Sequence, residues 1–311
     1  MKFTAFDFET ATSDRASICQ VGFAHFEDGK LTGQESYLIQ PPYNEYDFWN
    51  VRIHGIRPED TENVPSLSEI WPTLKPLFSG KNLIAHNAGF DVSVLRNALD
   101  SKGIEYPSAN YTCSMQLSRV AFPELPRHRL NEVAEHLGIE FKHHDAEQDS
   151  VACGTIACHA LLLKDVSEWD EIGKAFGLST GRIFPGGYDP SLVKSAAWWS
   201  TGDRYKNVAP DPTLLNMDSP LYGKAILISG QFQNMARDEA NYTVRSVGAI
   251  CKSGISKKVD YLVLGEDKYE LFISKDSSAF TSKVRKALEL QEAGHHIQII
   301  PESLFQQLAG F

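Results

Sequence analysis

The sequence lacks the features of a secreted, membrane-spanning or nucleic-acid-coating protein. Its five cysteines, Cys19, Cys113, Cys153, Cys158 and Cys251, are odd in number and nowhere spaced C-x-x-C. Neither a disulfide framework nor a zinc site is therefore expected. No run is long and apolar enough to span a bilayer, and the N-terminus has no basic region leading into an apolar core. Strand-forming residues begin almost at Met1, so no removable leader and no membrane partner are expected, and a reducing cytoplasm is the expected location. Excess positive charge is missing too. The net charge is −10, and residues 221–311 hold 11 Lys+Arg against 10 Asp+Glu, so the deficit sits in the first 220 residues. That argues against a duplex binder working by broad phosphate neutralisation. It leaves room for an enzyme that holds nucleic acid through metal ions and a small site. Repeats and low-complexity tracts are also absent.

The chain has 311 residues, 42% of them hydrophobic and 23% charged, ample for packed cores and, by length, about two domains. The first strand, Lys2 to Thr10, is followed by strands at Ser17–Phe26 and Leu31–Ile39, an antiparallel meander by its alternation and short Gly-containing turn. Pro41-Pro42 ends it, and an irregular segment runs to about Pro65. Helices are expected over Ser66–Phe78 despite Pro72 and Pro76, Phe90–Lys102, Leu130–Leu137 and Ala146–Leu163. Short strands fall at Lys81–Ala85 and Tyr111–Cys113. This pattern predicts one mixed sheet flanked by helices, closing near residue 165. Residues 166–220 read as a partly ordered connector, with a helix at Glu168–Leu178, turns at Phe184–Tyr188 and Ala209–Pro212, and an apolar Trp198-Trp199. From residue 221 to 311 strand and helix alternate again, giving a small parallel α/β domain.

Three polar constellations interrupt this frame. On the first strand, Asp7 and Glu9 are two residues apart and leave the same face, where like charges repel unless a cation or shared proton holds them. A solvated strand end is the other reading. After the apolar Leu83-Ile84-Ala85 comes His86-Asn87-Ala88-Gly89-Phe90-Asp91, which puts Asp91 in the first turn of a helix. Asn87 there either caps the helix or meets a ligand. Finally, in His143-His144-Asp145-Ala146-Glu147-Gln148-Asp149, Asp145 is an N-cap, and Gln148 completes a capping box. His144 then lies just before the helix and Asp149 about one turn inside it.

Together these pieces resemble the three motifs of the DEDD superfamily of exonucleases, in the branch with a catalytic histidine. That family includes the proofreading subunit of bacterial replicative DNA polymerase. The matching residues are Asp7 and Glu9, then Asn87 with Phe90-Asp91, then His144 with Asp149; the spacing selects His144 over His143. The resemblance covers about residues 1–165 and implies a ribonuclease H-like fold and hydrolysis of phosphodiesters from the 3′ end. It implies two divalent ions, Mg²⁺ or Mn²⁺, held by Asp7, Glu9, Asp149 and, directly or through water, Asp91. His144 would take the proton from the attacking water. It also implies contacts to the terminal nucleotide from Thr10, from His54-Gly55-Ile56, and from Asn87 and Phe90. Phe8 alternates away from Asp7 and reads as core.

Residues 221–311 resemble a BRCT domain, particularly that of bacterial NAD-dependent DNA ligases. The matching stretches include Leu221-Tyr222-Gly223-Lys224, Val247-Gly248-Ala249 and Ser256 to Val263, with an insertion-like Asp267–Phe280. The resemblance implies an anion pocket from Ser229, Gly230 and Lys283; otherwise Ser229 caps a turn and Lys283 is solvated. Its ligand would be a DNA 5′-phosphate or a phosphorylated protein. The leading expectation is a nuclease acting on single-stranded or 3′-end DNA in replication or repair. The alternatives are RNA or short oligonucleotides as substrate, or a phosphate-binding adaptor with a vestigial nuclease site.

Overall fold

A computed structural model describes residues 1–125, 127–193, 209–210, 215, 217, 219–230, 232, 235, 237–275 and 280–310. The chain divides into two compact units, Met1–Lys194 and Ser195–Phe311. Trp198-Trp199 and Asp211-Pro212 lie outside the described residues. Among the described residues no helix is long and apolar enough to cross a membrane.

The first unit opens with the expected meander, β1 (Lys2–Thr10), β2 (Ile18–Glu27) and β3 (Lys30–Leu38). Two short helices follow, α1 (Phe48–His54) and α2 (Pro58–Thr61), where the sequence reads as irregular. At seven and four residues they are too short to reveal a helical period. Helix α3 (Leu67–Phe78) forms despite its internal prolines and is started by a Ser66/Glu69 capping box. Next come β4 (Asn82–Ala85), α4 (Ala88–Ser101), β5 (Ala109–Cys113), α5 (Ser114–Ala121), α6 (Leu130–His136) and α7 (Ala146–Leu163). Helix α5 has no counterpart in the sequence expectations.

Beyond residue 165 the helix expected at Glu168–Leu178 shrinks to a 3₁₀ turn and α8 (Ile172–Ala175). Two two-residue strands, β6 (Leu178–Ser179) and β9 (Leu192–Val193), pair with each other. Between them β7 (Gly181–Phe184) and β8 (Gly187–Asp189) form a hairpin, turning at the Pro185-Gly186 read as a turn. That hairpin joins the main sheet. Its order is β3-β2-β1-β4-β5-β7-β8, with β1, β4 and β5 parallel and the remaining neighbours antiparallel. The sheet thus extends past residue 165, because Gly181 and its neighbours pair with β5. A strand of four residues carries too weak an alternation to be seen beforehand.

Alternation along β1 divides its side chains between two layers. Phe6 and Phe8 enter a core under α3 and α4, where Phe78 meets the rings of Phe6, Phe8, Phe23 and Trp71 at 5.1–6.2 Å. Each such fully buried ring contributes about 1.5–3 kcal/mol, and together they brace β1 from behind. Phe3 and Ala5 face the other core, made with α5, α6 and the small stripe Ala152, Cys153, Ile156, Ala157 and Ala160 of α7. Asp7 and Glu9 continue that second face toward the carboxyl end of β1.

Helix α7 reaches β1 and β2 because of a glycine. Gly22 sits opposite Asp7 in the β1–β2 ladder, and a Cβ there would lie 2.0 Å from the Ala146 carbonyl oxygen in the first turn of α7. A lone glycine inside a strand signals such an approach.

The second unit carries a four-stranded parallel sheet in the order β11-β10-β12-β13, formed by Ile250–Lys252, Ala225–Ser229, Tyr261–Leu264 and Gln298–Pro301. The helices are α9 (Arg237–Ser246), α10 (Glu266–Ile273), α11 (Ser282–Glu292) and α12 (Glu302–Leu308). One core gathers around Phe305, Ile228 and Val244, the other around Leu262, Val284 and Leu290. The insertion-like stretch contains α10, although Asp276 to Ala279 lie outside the described residues.

Gly22→Ala is expected to cost about 1–3 kcal/mol of stability, the range for overpacking, because α7 must shift. Gly33→Ala, whose Cβ would meet only the His25 ring at 3.7 Å, should change little. Urea midpoints of the two variants test this; equal stabilities would remove the close-approach argument.

Candidate active site

The site forms at the carboxyl ends of the parallel strands β1 and β4, with α7 closing over it. Carboxylate oxygens of Asp7, Glu9 and Asp149 lie within 4.8 Å of one another. Glu9 and Asp149 are buried, at 6% and 3% exposure, and Asp7 is half-buried. Asp91, at 1% exposure, stands in the first turn of α4 and accepts a hydrogen bond from the Phe8 backbone N–H at 3.2 Å. It is outside the 4.8 Å group but close enough for its charge to repel that of Asp7. Burial, then the charges of Asp91, Asp149 and Glu9, push the Asp7 carboxyl well above its ordinary value. Burial, then Asp149 and Asp91, do the same to Glu9. Burial raises Asp91 to about 8 against hydrogen bonds from backbone N–H groups. Asp149 is raised by burial and lowered by its contact with His143.

The loop before α7 holds two imidazoles. Asp145 caps the helix by accepting from Gln148 N at 3.4 Å, but the Gln148 side chain reaches past the cap and accepts from Lys142 N at 2.7 Å. The reciprocal capping box expected from sequence is therefore only half formed, since the chain turns sharply here with His144 at φ 65. The His144 backbone N–H donates to Asp149 Oδ2 at 3.0 Å, and burial together with the neighbouring His143 and His54 lowers its imidazole to about 3. His143 Nδ1 lies 3.1 Å from Asp149 Oδ1, a partnership that sequence spacing alone passed over.

The residues expected to meet a nucleotide divide into two groups. His54 is buried at the end of α1, and its Nδ1 accepts from Ile56 N at 3.0 Å. Nε2 therefore carries the proton and donates to the Thr10 carbonyl at 3.2 Å, while burial lowers the ring to about 4. Asn50 donates to the same carbonyl at 2.8 Å. Thr10, His54, Gly55 (φ 79) and half-buried Ile56 thus form one rim beside Glu9, and His54 is near enough to act on His144. Asn87, also left-handed at φ 69, caps α4 through its carbonyl, which accepts from Phe90 N at 2.8 Å, with no side-chain cap bond. Phe90 is half-buried against the core. Behind Asn87, the His86 ring bridges the Ser114 hydroxyl and the His128 carbonyl at 2.8 and 2.9 Å and so fixes the loop; no local motif marks that bridge. Phe8 is core, as its alternation predicts.

In the second unit Ser229 ends β10 at 7% exposure, Gly230 follows at φ 95, and Lys283 stands in the first turn of α11. Burial and the nearby Arg237 lower the Lys283 ammonium. Arg237 also donates to the Ile228 carbonyl at 3.1 Å, so it shares the end of β10 with Ser229, a cation the sequence reading did not include.

Comparison with known proteins agrees with this layout. Residues 4–157 match the Exonuclease family (RNase_T), and residues 218–298 match the BRCA1 C Terminus (BRCT) domain family. A DNA polymerase III PolC-type protein of Bacillus cereus is 30% identical over 313 residues, covering 98% of this chain and 20% of its own length. Another, from Clostridium perfringens, is 29% identical over 160 residues, covering 50% of this chain and 11% of its own length. The chain therefore spans a fifth or less of these relatives. A solved structure described as Exonuclease X in complex with 5′ overhanging duplex DNA is 18% identical, with a TM-score of 0.47 over 56% of this chain and 99% of its own. The chain therefore joins a domain that matches the Exonuclease family, a family that implies divalent metal ions, to a C-terminal BRCT domain, and it is similar to part of PolC-type DNA polymerase III.

Proposed function

We propose that the chain is a metal-dependent 3′–5′ exonuclease that hydrolyses DNA from its 3′ end, releasing nucleoside 5′-monophosphates. The observation that carries this reading is the convergence of Asp7, Glu9 and Asp149 within 4.8 Å, with Asp91 and His144 beside them. Buried carboxylates this close cannot all ionise unaided. Hard divalent ions prefer oxygen donors, so the donor set fits two ions, Mg²⁺ or Mn²⁺, held by Asp7, Glu9 and Asp149, with Asp91 completing the set. When bound, such ions supply an acidified water and stabilise charge on the departing 3′ oxygen.

The chain's own groups do the rest. His144 is neutral in the empty site, where burial lowers its imidazole, and it accepts the proton of the attacking water once the anionic phosphate beside it raises its basicity. The His54 and Asn50 donors fix the Thr10 carbonyl, and that rim positions the terminal nucleotide together with Gly55, Ile56, Asn87 and Phe90. Similarity to part of PolC-type DNA polymerase III supports DNA as the polymer and replication or repair as the setting. In the BRCT domain Ser229, Gly230, Lys283 and Arg237 form an anion pocket for a DNA 5′-phosphate or a phosphorylated partner. The exonuclease activity is assigned to the unit of residues 1–194, whose sheet takes in β7 and β8 beyond the boundary expected near 165, and the BRCT domain to residues 221–311.

Digestion of 5′-labelled single strands, as DNA and as RNA, should show stepwise shortening with Mg²⁺ or Mn²⁺ and none with EDTA. Cleavage from the 5′ end, or of RNA alone, would reject this assignment. Asp7→Ala should abolish turnover, and His144→Ala should lower it by about two to four powers of ten; an unchanged rate in either variant would remove that residue's role.

A second prediction follows from the raised carboxyls. Above about pH 6.5 the histidines of the unfolded chain have lost their protons, so the lowered His54, His86 and His144 no longer counteract these carboxyls. From there to the value near 8 held by Asp91, the metal-free folded protein binds more protons at these carboxyls than the unfolded chain. Its stability should therefore fall as pH rises across that window, by at most about 1.4 kcal/mol per pH unit for each group. Divalent ions should restore more stability at pH 8 than at pH 5, and Asp7→Asn should flatten the dependence. Melting temperatures in EDTA and in Mg²⁺ decide this; a metal effect equal at both pH values would contradict it.

A further inference from the structure

Asp149 belongs to two groups of metal-ligating atoms. One is the oxygen-only set with Asp7 and Glu9. In the other, ring nitrogens of His143 and His144 and an Asp149 oxygen also lie within 4.8 Å of one another. The reaction outlined above uses His144 as a base and leaves His143 unemployed, although its Nδ1 is only 3.1 Å from Asp149 Oδ1.

Successive residues of an extended chain send their side chains to opposite sides. The left-handed backbone at His144, φ 65, breaks that alternation. The two imidazoles consequently stand face to face, with ring centroids 3.9 Å apart and planes 16° from parallel. Both are half-buried, and each offers a ring nitrogen within 4.8 Å of the buried carboxylate.

Donor chemistry separates the two groups. Carboxylates alone suit Mg²⁺ or Mn²⁺, whereas two imidazoles and one carboxylate suit Zn²⁺, which binds such sets at four-coordinate centres with one position open. Affinity for nitrogen donors rises along the first-row series from Mn²⁺ to Cu²⁺ and drops back at Zn²⁺, for which imidazole remains a well-suited ligand. The nearby Asp7 and Glu9 add favourable charge for any cation.

We propose that His143, His144 and Asp149 form a second metal site that takes Zn²⁺, and that filling it shuts down the exonuclease centre. Asp149 cannot serve both groups in full, and a metal-bound His144 has no lone pair left for a proton. The inhibitory half of this inference rests on the nuclease reading; the binding half does not.

The test uses the full chain, stripped with EDTA and then freed of it. Zn²⁺ is titrated in competition with a chromophoric chelator, and Mg²⁺-supported hydrolysis of a labelled single strand is followed against added Zn²⁺. Each variant is normalised to its own zinc-free rate. His143→Ala should weaken Zn²⁺ binding at least about tenfold, the loss that even an outer-shell partner produces, and shift the inhibitory Zn²⁺ concentration by a similar factor. His143→Cys, which restores a zinc ligand, should recover both. Wild-type protein that binds no stoichiometric Zn²⁺, or His143→Ala that binds and is inhibited like wild type, would overturn the proposal. Circular dichroism establishes that both variants fold. Should no protein hydrolyse the strand, the nuclease reading fails, and the chelator titration still decides the site.

Discussion

The close approach of α7 to β1 and β2 is the constraint on which the rest of the first unit depends. At Gly22 the strand presents no side chain, and the Ala146 carbonyl occupies the space a Cβ would take. The helix can then bring Asp149 onto the face where Asp7 and Glu9 emerge. A second close contact follows two turns later, where Gly154 lies against the Phe26 ring, which itself stacks on Phe3 at 5.0 Å. Two glycines thus set the height of the helix over the sheet, and that height sets the spacing of the carboxylates.

Holding these carboxylates together is unfavourable by itself. Burial and mutual repulsion drive Asp7, Glu9 and Asp91 toward their neutral forms. The fold maintains the arrangement with apolar energy from elsewhere, chiefly the aromatic cluster around Phe78 that braces β1 from the opposite face. This division follows the strand's period of two: odd positions near the end of β1 carry the carboxylates and even positions carry packing. A cation is the natural counterpart of such a store of repulsion, since it converts the same closeness into coordination.

The loop at His143 and His144 shows how little backbone is needed to alter the chemistry of a site. One left-handed residue places a nitrogen-rich donor set beside an oxygen-only one, with Asp149 common to both. The rim around Thr10 has the opposite character. Its polar groups are satisfied by His54, Asn50 and Ile56, and it forms a fixed wall beside Glu9.

Much of this was legible in the sequence. The order of D-x-E, Asn87 with Phe90-Asp91, and His144 with Asp149 named the carboxylates and the histidine, because motif spacing on strands and helix starts fixes which side chains share a face. The period of two assigned Phe8 to the core, and Asp145 marked the start of α7. Tertiary structure decided the remainder. Helices α1 and α2 and the hairpin of β7 and β8 are too short for periodicity to show; they are held by distant partners, Asn50 of α1 donating to the Thr10 carbonyl, Asn44 donating to the Pro58 carbonyl of α2, and β7 pairing with β5. The role of Gly22, the bridge made by His86 and the pairing of His143 with Asp149 each join residues 28 to 124 positions apart, or turn on a single φ angle. Local spacing carries no record of such distances, which are set only when the helix settles on the sheet.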